Sequence, residues 1–367
     1  MTRIPYVLTA FVLAGCSLGS KPVDPAMEGP VRARHITTAI GDGVDYLIGA
    51  QNRDGSWGSS GGSTGFDLYS PIPGAHEGYR SATTALCVLA LMEAKGPPAV
   101  IRRGIEWLVT SEPPKRAQAD VMYNVWGNTY ALQALAAAYQ AEEGELERAR
   151  IRATAERHLE LLRRYETHAG GWNYYDFDIG TRSPASWPTS FGTAAALVAF
   201  FDAERAGLDV PEDMTKRSIA AVEGCRKPDG SYIYDLGFRY YPNHPANQPK
   251  GGLGRMQSGN VALFLWASPL VDKAKLKSGL EMMAEEHRFL ECGRKRQYPH
   301  EAFYFNSGYY YYYGHYYAAR IVELLDPEDR RERRGRRDGS TALRPSSWRS
   351  AARPTARRST QETPRPS

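Results

Sequence analysis

A turn that returns about every 60 residues, built on glycine in its clearest copies, constrains this chain more than any other feature of it. Gln51-Asn52-Arg53-Asp54-Gly55-Ser56-Trp57-Gly58 closes a helical stretch that begins near His35. Similar turn points follow near Ser111, at His168-Ala169-Gly170-Gly171-Trp172, at Asp229-Gly230-Ser231-Tyr232 and near Glu291. Each leads through a Gly/Pro-rich loop into a segment rich in small residues, at 82–94, 129–140, 193–206, 260–270 and 308–325. A more charged segment follows the first four of these, at 99–110, 145–166, 211–224 and 271–291. Apolar residues at i, i+3, i+4 and i+7 make most of these segments helices, with Gly, Pro or Asn at their ends. One hairpin is possible, at 232–241. A single helix pair cannot bury its own apolar stripe, so the pairs must stack. Small-residue helices would form a closely packed inner ring and charged ones an outer ring. The expected fold is all-α: an α/α toroid of about five to six helix pairs over 35–325, with a central cavity at one end.

Composition agrees with a packed body and sets aside other classes. Of 367 residues, 42% are hydrophobic, enough for a sizeable core and too many for wholesale disorder. Four cysteines do not make a disulfide scaffold, and no Cys-x-x-Cys pair suggests structural zinc. Cys87 falls in an apolar helix, as a buried thiol would, and Cys225 and Cys292 both fall at outer-helix ends, where a bridge is conceivable. The net charge of +5 is uneven: 326–367 holds 12 Arg and 6 acids, so the rest carries 5 − 6 = −1. That tail, rich in Arg, Pro, Ser and Thr, reads as disordered, with an anionic lipid or lipopolysaccharide a more fitting partner than nucleic acid. At the other end, Arg3, an apolar stretch over 4–12 and Leu13-Ala14-Gly15-Cys16 make a signal peptide over 1–15. The last four residues resemble the lipobox of bacterial lipoproteins, which implies acylation of Cys16, a flexible tether over 16–34 and membrane attachment through the acyl chains. Ser17, not Asp, follows the Cys, which by that family's rule implies an outer-membrane address facing the periplasm.

Gln51 and Asp54-Gly55-Ser56-Trp57 resemble the QW repeat of squalene–hopene cyclases, within the terpenoid cyclase and protein prenyltransferase superfamily. Trp172 and Tyr232 stand in eroded copies. The resemblance implies that Gln51, Trp57, Trp172 and Tyr232 are structural, tying neighbouring outer helices together. The chemistry of that superfamily does not carry over. The Asp-x-Asp-Asp acid of hopene cyclases has only Asp176-Phe177-Asp178-Ile179 as a counterpart, lacking the third carboxylate. Gly251-Gly252-Leu253-Gly254-Arg255 resembles the glycine-rich segment of prenyltransferase β-subunits, but Asn260 and Ala262 stand where two zinc ligands would be. Only His315 matches the third, so neither a metal site nor a cofactor is expected.

What remains is a set of candidate cavity residues before the inner helices. His76, Arg80, Tyr123, Trp126, Tyr174, Tyr175, Asp176, Asp178, Trp187, Arg239, Arg255 and His315 all fall there, as does Tyr313 within five consecutive tyrosines. Tyrosine pairs an apolar face with a polar tip, which suits a sugar or an amphipathic ligand, though the same tyrosines would serve equally as core. Binding of a lipid or glycan in an aromatic cavity, without catalysis, is the favoured reading. The alternatives are a divergent enzyme on a prenoid, a lyase on an acidic polysaccharide using His315 with an arginine clamp of Arg80, Arg239 and Arg255, or a pure scaffold.

Overall fold

The computed structural model describes residues 33–59, 75–113, 116, 122–294 and 307–325. Cys16, the signal peptide, most of the tether and the Arg-rich tail lie outside the described residues. The chain divides into two units, Met1–Tyr46 and Leu47–Ser367. In the first, the described part of α1 (Ala33–Gly49) exposes Ile36, Ile40 and Tyr46.

The second unit is the helical body, and its described residues contain no named strand. Its helices are α2 (Ala75–Glu93), α3 (Pro98–Thr110), α4 (Val125–Ala141), α5 (Glu145–Tyr165), α6 (Ser190–Ala206), α7 (Glu212–Cys225), α8 (Leu253–Leu265), α9 (Lys273–Glu285), α10 (Arg288–Glu291) and α11 (Tyr311–Leu325). The packing alternates as an α/α toroid requires. Inner helices α2, α4, α6, α8 and α11 pack in sequence against one another, while α3, α5, α7 and α9 lie outside them.

Side-chain size explains which helix goes where. Helix α6 is buried on every face along Ser190–Phe200, with Gly192, Ala194, Ala195, Ala196 and Ala199 letting its neighbours approach. Gly254 on α8 and Gly314 on α11 touch backbone to backbone, where a Cβ on Gly314 would stand 2.7 Å from the Gly254 Cα. Helix α5 instead buries a single stripe of Ile151, Ala155, Leu159 and Leu162, at the spacing of one helix face. Its opposite face carries ion pairs, Arg150 to Glu106 at 2.9 Å and Arg152 to Glu156 at 2.7 Å. Thr189 caps α6 by accepting from the Gly192 N–H at 3.2 Å, and left-handed Gly207 ends it.

Two expectations need correction. The hairpin at 232–241 is instead a 3-10 helix, Leu236–Tyr240, because the Asp235 carboxylate accepts the Phe238 N–H at 3.1 Å and turns the chain. Helix α11 turns Tyr313 and Tyr317 toward the other inner helices. Tyr313 meets Trp126 of α4 and Phe191 of α6, donating to the Phe191 carbonyl at 2.7 Å. Tyr317, fully buried, packs on Tyr313 with ring centres 4.7 Å apart. Lower down, Tyr316 donates to Gln133 at 3.4 Å and Arg320 pairs with Asp202 at 3.3 Å. The last inner helix thereby reaches back to α4 and α6. No disulfide joins Cys225 to Cys292; Cys225 is buried, and Cys292 Sγ donates to the Phe289 carbonyl at 3.3 Å.

Candidate functional site: an aromatic rim above repeated turns

Three connections that lead into an inner helix begin with the same turn. In each, a backbone N–H is accepted four residues on, Asn52 to Ser56, Thr167 to Gly171 and Lys227 to Ser231, all at 2.8 Å. Gly55, Gly170 and Gly230 supply φ of +95°, +80° and +85°. At Gly55 and Gly170 the backbone also crowds a carbonyl of the next outer helix, that of Arg103 or Arg217, so no side chain fits there. Trp57 and Trp172 are fully buried, and each indole N–H donates 2.7 Å to a carbonyl ten residues back, Leu47 or Leu162. Each also presents its backbone N–H, at 3.0 Å, to a threonine hydroxyl of the following inner helix, Thr84 or Thr193. Tyr232 fills the third place and donates to Asn260 at 3.0 Å. Gln51 donates to the Gly55 and Val100 carbonyls at 2.9 Å each, bracing the start of α3.

Past the turns, the connections carry aromatic side chains that meet one another across the mouth of the ring. Tyr79 contacts Tyr123, and Tyr123 stacks on Tyr174 at 5.1 Å and 8°. Tyr174 lies beside Phe191, Phe191 beside Tyr234, and Tyr234 beside Phe238, with centroids 6.4, 5.2 and 6.0 Å apart. Trp126 joins from α4, 5.8 Å from Phe191. Tyr123, Trp126, Tyr174, Tyr175, Tyr234 and Tyr313 are half-buried, whereas Phe191 and Tyr310 beneath them are buried. Burial pushes the Tyr310 phenol up to about 12 and raises Tyr123, Tyr174 and Tyr234 further. These hydroxyls therefore stay protonated at neutral pH and act as hydrogen-bond tips rather than bases.

The candidate residues divide sharply between rim and frame. Arg80 is frame: its guanidinium donates to Ser56 Oγ at 2.7 Å and to the Asp54 carboxylate, and lies 5.2 Å from the Trp107 ring. Arg255 is fully buried, bonded to the Gly251 carbonyl at 3.1 Å and the Ala246 carbonyl, with Tyr234 and Tyr310 against its face. Arg239 is exposed, lying over Trp187 and Tyr240. The three arginines hold three separate sets of partners and form no clamp. Asp176 is buried and accepts from the N–H groups of Phe177 and Met122 at 2.7 and 3.2 Å, with Arg116 3.5 Å away. Burial raises its carboxyl against those lowering contacts. Asp178 accepts from the Ser186 hydroxyl at 3.1 Å in the same loop. His76 is half-buried in the first turn of α2.

His315 stands two residues beyond Tyr313, so the helix turns it away from the ring axis. Its Nε2 lies 3.0 Å from His287 Nε2, not near any of those arginines or aspartates. The zinc set of the prenyltransferases is not assembled either: Asn260 is occupied by Tyr232 and Ala262 is core. Among the described residues, no group of three or more His, Cys, Asp or Glu is placed to hold a metal, and no helix is long and apolar enough to cross a membrane.

Sequence reasoning missed Phe191, Tyr234, Phe238 and His287. A signal for Tyr234 was present, because it follows Tyr232 by two residues as Tyr174 follows Trp172. No protein-family model matches the chain. Among solved structures, it is similar to a polysaccharide lyase, with a TM-score of 0.45 and 9% identity over 79% of this chain and 87% of that one.

Proposed function

We propose that this protein is a binding toroid that takes a carbohydrate on its aromatic rim, without catalysing a reaction there. The run of half-buried rings from Tyr123 through Tyr174 to Tyr234, with hydroxyl tips and a Trp beside it, carries the reading. Flat rings stack on the C–H faces of sugars, and phenol tips bond to their hydroxyls. A prenoid suits the site less well. It needs an enclosed apolar channel, whereas these rings carry hydroxyl tips and Tyr313 reaches across to the Phe191 carbonyl. The reading also takes the chain as a divergent relative of the terpenoid cyclase and prenyltransferase superfamily that keeps its turns and not its chemistry. Attachment to the outer membrane through acylated Cys16 belongs to the same proposal, and would place the rim among envelope glycans. Loss of labelling by an alkyne fatty acid in Cys16→Ala would support that part.

The direct test is a glycan array followed by calorimetry on the purified protein. A neutral or acidic oligosaccharide should bind in the micromolar range, and Trp126→Ala with Tyr174→Ala should weaken it at least tenfold while the circular dichroism stays native. Binding of prenoids in place of sugars, or sugar binding indifferent to both substitutions, would sink the reading.

A further inference from the structure

The N-cap of α10 and helix α11 bring two imidazoles together. His287 Nε2 and His315 Nε2 face each other at 3.0 Å, with ring planes at 84°. The remaining nitrogen of His315 has a hydrogen-bond partner, and that of His287 has a carboxylate nearby. His315 Nδ1 lies 2.6 Å from the Tyr311 carbonyl, which can only accept, so Nδ1 carries the proton and Nε2 presents its lone pair. His287 Nδ1 lies 3.9 Å from Glu291 Oε2, and Arg294 holds the other Glu291 oxygen at 2.5 Å. Both imidazoles are half-buried, so solvent reaches the pair.

A carbonyl behind His315 is part of the outer-shell arrangement of metal-ligating histidines, where it fixes the tautomer and strengthens the donor, and Glu291 sets a negative charge near His287. Two nitrogens on one tetrahedral ion stand about 3.3 Å apart when each is roughly 2.05 Å from the metal. The observed pair needs only a few tenths of an ångström of opening to receive one. We propose that His287 and His315 bind a zinc-class divalent cation, with two protein nitrogens and the other positions left to water or a ligand oxygen. Imidazole donors select zinc, copper or nickel over magnesium or calcium. This differs from the set implied by the prenyltransferase resemblance, which would draw its other ligands from α8.

Equilibrium dialysis of the full-length protein against Zn²⁺ tests the proposal, with His287→Gln and His315→Gln measured beside the wild type. The expected result is a saturable zinc site that each substitution weakens at least tenfold. Absence of a saturable site, or affinity unchanged in both variants, overturns the assignment. If both variants lose their native circular dichroism, zinc K-edge absorption on the wild-type protein decides. Two imidazole nitrogens at about 2.0 Å support the site, and one or none overturns it.

Discussion

The Gly-centred turn and the aromatic rim lie in the same connections, a few residues apart, yet are built on opposite principles. The turn is repeated almost atom for atom at Trp57 and Trp172, and its polar groups are satisfied inside the turn or by the adjoining helices. Rim residues repeat less strictly: the place two residues beyond the turn aromatic holds Tyr174 and Tyr234 in two connections but Ser59 in the first. Their polar tips engage one another, as where the Tyr123 and Tyr175 hydroxyls meet at 3.1 Å. The repeat therefore maintains a frame, and the stretch between the turn and the inner helix is free to vary. Function on such a frame belongs to the part that departs from the period.

The comparison breaks most easily at the indoles. Trp57→Ala should cost about 3–5 kcal/mol by denaturant unfolding, since a fully buried ring leaves a cavity. Tyr174→Ala, half-exposed on the rim, should cost roughly 1–2 kcal/mol while removing most of the binding. Equal losses of stability would dissolve the distinction between frame and rim.

The glycines sharpen it. Gly55→Ala meets both a φ of +95° and the Arg103 carbonyl, and should destabilise by more than about 2 kcal/mol. Gly180→Ala, with a φ of +69° in a loop with open space around it, should cost only about 1 kcal/mol. Thermal unfolding of the two variants in parallel reads the difference.

A pH series reaches the frame from another side. His158 is buried on α5, its Nδ1 2.9 Å from the Asn128 carboxamide oxygen, and burial with nearby Arg157 lowers its pKa to about 3. The unfolded chain takes up this proton near pH 6.5 and the folded one does not, so the stability contributed by neutral His158 is complete above that pH. It is lost as the pH falls toward 3, at up to about 1.4 kcal/mol per unit. His158→Gln should flatten that dependence, and an unchanged slope would place the proton elsewhere. The smallest expected effect is that of Trp187→Ala. With 39% of its surface exposed, Trp187 should change stability by less than about 0.5 kcal/mol.

Legibility in the sequence follows the same divide. The alternation of inner and outer helices could be read because small residues and charged residues segregate by helix, and packing respects that directly. The turns could be read because Gly55, Gly170 and Gly230 have few substitutes at positive φ. Arg80 was misplaced for a physical reason: the Asp54 and Ser56 that hold it precede it by 26 and 24 residues. The His287–His315 contact spans 28 residues, from the N-cap of α10 to α11, which no local pattern announces. The tyrosine run showed that aromatic mass gathers near α11, but not that Tyr313 and Tyr317 would turn toward the other inner helices while Tyr312 faces solvent.

That inward turn bears on the order in which the body can be completed. Stacked helix pairs can add one after another as they leave the ribosome, each resting on the one before. The side chains that reach back to α4 and α6 arrive with the last inner helix. Until then, the ring-facing sides of α4 and α6 lack their partner, and the stack is a row with a frayed end. When α11 docks, Tyr313 and Tyr316 join the most recently made helix to ones made some 120 to 180 residues earlier. A chain ending before Tyr311 would keep most of its helices and lose the contact that makes them unfold as one.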